Sequence, residues 1–283
     1  MTDSCCDLPT GLATELGIEV VPLSVTIGGQ TYRHYLDEKE ISFTDFYRLL
    51  RAKNSATTSA PNTKDFTEYM EEALKNGKDV LYIGFSSALS ATYSIANMVA
   101  KELAAKYPKR KIYLVNSLCA SLGEGLLVYL AALEKGKGKS IDEVFDYVEK
   151  KKLQICHWFM VDDLFHLQRG GRLSTTSAAV GSILNIKPIL HVDNEGKLAP
   201  MRKSRGRNLA LKQLAKIVTE SGVNLQDQTI FINHGDCIED AEQLSTMVKN
   251  IGVGRVIINQ LDPICGAHTG PGTLGIYFIG KSR

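Results

Sequence analysis

The sequence predicts an α/β protein in two parts. Two apolar runs, Val80 to Ile83 and Lys111 to Ser117, are each followed by a polar turn and a helix-period segment, the spacing of parallel strands joined by helical crossovers. Farther on, two apolar runs flank the turn Asp193-Asn-Glu-Gly196, the pattern of an antiparallel hairpin. A length of 283 residues suits two domains with sizeable cores.

The chain opens on a polar turn, Asp3, Ser4 and Asp7, before a short helix over 12–16. Residues 18–27 form a strand candidate, and Gly28-Gly29 turns it into a hairpin over 25–32. A helix over 43–53 carries Phe46, Leu49 and Leu50 on one face. The loop Thr57-Thr-Ser-Ala-Pro-Asn62 follows, rich in hydroxyls, and leads into a helix over 63–75. After Val80 to Ile83, Gly84 lets the backbone turn, and Ser86, Ser87, Ser90 and Thr92 crowd the start of the next helix. Such a turn can seat an anion on outward amides, helix dipole and hydroxyls, or it can simply cap the helix. A third polar turn, around Ser121 and Gly123, precedes a helix over 126–134. In parallel sheets ligands lie outside the carboxyl ends of the strands, which would bring these turns to one edge.

Gly136-Lys-Gly-Lys-Ser140 is not a phosphate loop, because the earlier glycine is Leu133 and no strand feeds it. Ser140 and Glu143 instead form a capping box, and this basic stretch approaches a domain boundary, placed at 152/153. The strand His157 to Val161 leads to Arg169-Gly-Gly-Arg172, whose guanidinium groups suit carboxylate or phosphate recognition or simply face solvent. Small residues over 178–184 leave room for close packing or a tunnel. A helix over 209–219, a strand over 229–234, a helix over 238–249 and strands over 255–259 and 276–279 complete the chain. His268 lies among Gly266, Gly270 and Gly272, where backbone can approach a ligand.

The net charge of +2, mixed along the chain, argues against nucleic acid or a membrane surface as partner. No apolar run approaches the roughly 20 residues of a membrane span, and no signal peptide opens the sequence. The six cysteines include no C-x-x-C, so metal-ligand spacing is absent and no disulfide framework is expected. These features predict a cytoplasmic protein with reduced thiols, no metal and no cofactor.

Thr2-Asp-Ser4 with Asp7-Leu-Pro9, Thr58-Ser-Ala-Pro61, Ser86 to Tyr93, Gly170-Gly-Arg172, Lys187-Pro188 and His268-Thr-Gly-Pro-Gly272 occur in an order that resembles the DegV family. These are bacterial fatty-acid-binding proteins that include the FakB subunits of fatty acid kinase. The resemblance implies an N-terminal three-layer parallel α/β domain (1–152) and a C-terminal two-layer α/β domain with a mixed sheet (153–283). It implies a long-chain fatty acid between them, the carboxylate held by Thr58 and Ser90 with His268 close by, and Ser59, Ser87 and Thr92 adjacent. The tail would run past 178–184, with Ala179 beside it. Arg172 and Arg205 would dock a kinase subunit that uses ATP to convert the bound acid to an acyl phosphate, both being expected at the surface. The chain would then be a substrate carrier and not an enzyme by itself. A tail of roughly fifteen methylenes gains about 12 kcal/mol on burial before ordering costs, so the head group needs only neutral donors. The sequence departs from the family where only Met1 precedes Thr2, where an apolar strand is usual, and at Asn62 and Ala91, where Ser and Gly are common.

Two other readings compete. A serine hydrolase would use Ser87 or Ser90 with His268 and an aspartate, although Gly84-Phe-Ser-Ser-Ala88 misses the last glycine of the nucleophile elbow. A lipid-sensing interaction protein would need no kinase partner.

Overall fold

The computed structural model describes residues 1–174 and 185–283. Ala179 and the rest of the 178–184 segment expected beside the tail lie outside the described residues. From the N-terminus the chain runs through β1 (Thr2–Asp3), α1 (Thr10–Glu15), β2 (Val20–Val21), β3 (Ser24–Ile27), β4 (Gln30–Arg33), α2 (Phe43–Arg51), β5 (Ala56–Ser59) and α3 (Thr63–Lys75). It continues through β6 (Val80–Gly84), α4 (Thr92–Lys106), β7 (Ile112–Asn116), α5 (Leu122–Gly136) and α6 (Ile141–Lys151).

β1 pairs with β2 and β6 with β7, both in parallel. The Met1 nitrogen donates to the Leu81 carbonyl (2.8 Å) and the Ile83 amide to the Met1 carbonyl (3.0 Å), which joins the pairs in the order β2-β1-β6-β7. Side chains alternate across this sheet. Val80 and Tyr82 pack with Phe66, Met70, Val99 and Leu103 of α3 and α4. Ile83 faces the other way and packs with Leu122, Leu126, Val144 and Val148 of α5 and α6. The result is the three-layer parallel arrangement expected of the N-terminal part.

The strand expected over 18–27 breaks at Pro22 into β2 and β3, which belong to different sheets. The hydroxyl-rich stretch at Thr57 to Ser59 is not a loop. It forms β5, antiparallel to β3 with Thr58 opposite Val25, and Asn62 then caps α3 through a capping box with Asp65.

The second half comprises β8 (Ile155–Met160), α7 (Leu164–Arg169), β9 (Ile186–Val192), β10 (Leu198–Arg205), α8 (Arg207–Ser221), β11 (Thr229–His234), α9 (Ile238–Lys249), β12 (Arg255–Gln260), α10 (Pro263–Thr269) and β13 (Leu274–Ile279). Its sheet has the order β10-β9-β8-β13-β11-β12, antiparallel except for the parallel pair β11/β12. Cys156, Met160, Ile276 and Phe278 point to α8 and α9 on one face. Ile155, Phe231 and Tyr277 point to the opposite face, where α5 lies. The mixed two-layer sheet matches the expectation for this half.

Helix α5 is thus covered on both sides. Leu122 through Tyr129 are all buried, and the helix begins four residues earlier than its apolar pattern predicts. Close packing on every side explains its glycines: a Cβ on Gly125 would sit 2.2 Å from the Cys6 carbonyl oxygen, a backbone atom that cannot swing away. Alanine in a helix interior normally gains about 1 kcal/mol over glycine. Here Gly125→Ala should instead destabilise by about 1–3 kcal/mol through overpacking. Urea denaturation checks this, and a variant as stable as the parent contradicts the packing.

Candidate functional site

Just ahead of the first turn of α5 a cavity of ≈220 Å³ opens between the two halves of the chain. Ala120 and Ser121 line its floor, just ahead of Leu122. Phe85, Leu89, Phe159, Leu167, Val192 and Leu198 give it a predominantly apolar wall drawn from both halves of the chain. Period-2 alternation in β8 puts His157 and Phe159 on this wall and sends Cys156 and Met160 to the opposite core.

Three predicted residues, Thr58, Ser90 and His268, line this one cavity. Thr58 comes from β5, Ser90 from the turn before α4, and His268 from α10. His268 is therefore on the last turn of a helix and not in a glycine loop. Asp262 caps that helix by accepting from the Ile264 amide at 2.5 Å and the Cys265 amide at 2.9 Å, with Pro263 at its first position. His268 Nε2 lies 2.8 Å from Thr58 Oγ1. Its Nδ1 edge rests on Gly170, where a Cβ would approach within 2.3 Å.

The other hydroxyls divide by role. Ser90 and Thr92 share a hydrogen bond of 2.8 Å, and Thr92 itself is buried behind the wall. Ser86 is fully buried and donates to the Gly196 carbonyl (2.9 Å), which pins the β9–β10 hairpin over the site. Ser87 is exposed and accepts from Asn116 Nδ2 at 2.7 Å, and Ser59 is also exposed; neither lines the cavity.

The two arginines separate. Arg205 is exposed, as expected. Arg172 is not: it is half-buried on the cavity wall, with Nε donating to the Leu89 carbonyl (3.1 Å) and Nη1 to the Gly170 carbonyl (2.5 Å). The positive φ of Gly171 (71°) folds the turn back and delivers the guanidinium inward. Among the described residues Arg172 has no carboxylate partner, and its charge lies beside Ser90 and His268.

Other polar side chains on the wall are engaged elsewhere. Ser121 donates to Asp7, Tyr277 to Asn233 Oδ1 (3.2 Å) and Thr273 to the Gly270 carbonyl (2.8 Å), while His157 Nδ1 lies 3.0 Å from the Ile155 carbonyl oxygen. Asp7 sits at the centre of this buried network and also accepts from Asn233 Nδ2 (3.0 Å) and the Asp262 amide (2.9 Å). Burial, and then the Asp262 carboxylate beside it, push the Asp7 carboxyl well above the ordinary range. Among the described residues neither Ser87 nor Ser90 is hydrogen-bonded to His268, so no serine–histidine pair is assembled.

The chain matches a sequence profile described as an uncharacterised protein of the DegV family over residues 1–281. It belongs to the DegV family. A DegV domain-containing protein of Clostridium perfringens is 43% identical over all of this chain and 97% of its own length. A DegV family structure from Thermus thermophilus, described as showing fatty acid binding, superposes with a TM-score of 0.89 at 30% identity over 99% of this chain and 98% of its own. DegV from Bacillus subtilis, described as a fatty acid binding protein, gives a TM-score of 0.84 at 30% identity over the same shares. Fatty acid binding is thus established within the DegV family, and no helix among the described residues of this DegV chain is long and apolar enough to cross a membrane.

Sequence reading missed most of the DegV cavity wall. Phe85, Phe159 and Tyr277 read as ordinary strand and turn residues, and only the alternation within each strand hints at which face they take. The inward turn of Arg172 depends on backbone angles that no residue pattern displays.

Burial, reinforced by the Arg172 charge, lowers the His268 pKa from 6.5 to about 4. The imidazole is therefore neutral at pH 7. An unfolded chain takes up this proton near pH 6.5 and the folded one only near 4, so this histidine removes stability as pH falls through that window. Histidine NMR should show His268 titrating near pH 4; a midpoint near 6.5 contradicts the buried, arginine-adjacent placement.

Proposed function

We propose that this chain binds a long-chain fatty acid in the cavity and presents its carboxylate to a partner kinase for ATP-dependent phosphorylation to an acyl phosphate. One observation carries the reading: a predominantly apolar cavity in which, among the described residues, Thr58, Ser90, His268 and Arg172 bring polar side chains together from both halves of the chain. In this reading residues 1–152 supply the hydroxyl-bearing head-group segments, and 153–283 supply His268, Arg172 and much of the wall around the tail.

The donors suit a carboxylate. With its proton on Nε2, neutral His268 donates to Thr58 Oγ1 and leaves the Thr58 O–H free to point at the ligand. Thr92 donating to Ser90 frees the Ser90 O–H in the same way. The amino end of α4 begins beside Ser90 and adds its dipole, and Arg172 supplies the one full positive charge. A carboxylate held mainly by hydroxyls keeps lone pairs for attack on a phosphoryl group. Arg205, out on the surface, is the residue of the pair suited to steering an acidic partner, whereas Arg172 serves the ligand as well.

Mass spectrometry of lipid extracted from the purified protein should find a long-chain fatty acid. Replacing Thr58 and Ser90 together by alanine should weaken binding by about 2 kcal/mol, since each such hydrogen bond contributes about 1 kcal/mol. Unchanged affinity in the double variant would refute the head-group assignment.

The arginines give a separate test. Arg205→Glu should leave fatty-acid affinity unchanged and lower phosphorylation of the bound acid by the kinase. Arg172→Glu should lower both, and an Arg172→Glu protein with intact lipid affinity would return that residue to docking alone.

A further inference from the structure

Cys5 and Cys265 stand at opposite ends of the sequence, and both line the cavity. Cys5 lies in the tight turn Ser4–Cys6 that follows β1, and Cys265 on the first turn of α10. Their sulfurs and a carboxylate oxygen of Asp262 all lie within 4.8 Å of one another. Both thiols are free. Asp262 is fully buried, and its two oxygens differ: Oδ1 accepts the Ile264 and Cys265 amides, whereas among the described residues no amide or hydroxyl donates to Oδ2, and the Asp7 carboxyl and the Cys265 thiol lie beside the side chain.

We infer that Cys5, Cys265 and Asp262 form a binding site for a thiophilic divalent cation of the Zn2+ class, with the fourth coordination position open to the cavity. Two thiolates and one carboxylate are a donor set for such an ion, and a tetrahedral site with sulfur at about 2.3 Å places its donors roughly 3.5–4 Å apart. The observed spread, within 4.8 Å, is close to that spacing. Asp262 Oδ2 supplies the third lone pair while Oδ1 keeps the helix capped. Binding deprotonates both thiols, so two protons leave to solvent for each cation taken up and no electron is transferred. The bound ion would tie the Ser4–Cys6 turn to α10, the helix that carries His268. Cysteine spacing carries no sign of this site; the fold alone joins Cys5 and Cys265.

The test is titration of the reduced full-length protein with Cd2+, followed by the ultraviolet thiolate-to-cadmium charge-transfer band and by proton release. The inference expects a band that saturates at one ion per chain and the release of two protons. Cys5→Ser and Cys265→Ser should each abolish it, Cys119→Ser and Cys156→Ser should leave it, and Asp262→Asn should weaken uptake at least tenfold while preserving the cap. Should Cys5→Ser fail to fold, the half-buried Cys265 carries the test. No band, or one that survives replacement of Cys265, overturns the site. So does a Cys5–Cys265 disulfide that forms in place of metal uptake when the reducing agent is removed.

Discussion

The burial of α5 between two sheets is the constraint on which the rest of the molecule depends. A helix buried along its first eight residues, Leu122 to Tyr129, has no solvent face to satisfy there, so it can act as a spacer that both sheets share. Gly123 and Gly125 permit that approach: a Cβ on the first would collide with His157 of the mixed sheet, and on the second with the Cys6 carbonyl of the N-terminal segment. The spacer ends at Leu122. Past that point the sheets remain apart because α5 holds them so, and the gap becomes the cavity. The Asp7 network secures this rim, since Asp7 gathers Ser121 at the start of α5, Asn233 of the mixed sheet and the Asp262 amide at the start of α10.

The cavity's chemistry follows from how each polar group is occupied. Most of its polar side chains are locked into the frame, which keeps the wall rigid and leaves few groups to define an end. The set at this end combines neutral hydroxyls, an imidazole kept uncharged by burial and by Arg172, and Arg172 itself, which has no carboxylate partner among the described residues. An anion entering there replaces water around that guanidinium with a charge partner. A carboxylate is the anion that the proposed function places there, and DegV structures from Thermus thermophilus and Bacillus subtilis are described as fatty acid binding.

Much of the scaffold was legible in the residues. The alternation Val80–Ile83, the capping box at Ser140 and the hairpin at Asp193 all describe local preferences that the tertiary structure keeps. Thr58, Ser90 and His268 all line one cavity, although two of their local settings differ from the sequence reading. Thr58 belongs to a strand because β3 offers an open edge with Val25 opposite it, and His268 belongs to a helix because Asp262 and Pro263 start one despite the nearby glycines. Arg172 shows where the pattern runs out. Its residue type and neighbours fit a solvated turn, and only the fold of Gly170-Gly171 against Leu89 and His268 turns it inward. Cys5 and Cys265 are the extreme case, since no sequence window contains both.

The most direct test of the account is a crystal structure of the protein with a saturated long-chain fatty acid bound. The account requires carboxylate oxygens within hydrogen-bonding distance of Thr58 Oγ1 and Ser90 Oγ, with the methylenes against Phe85, Phe159 and Leu198. A carboxylate at the Tyr277 end of the cavity, or an acid bound outside the cavity, would contradict it.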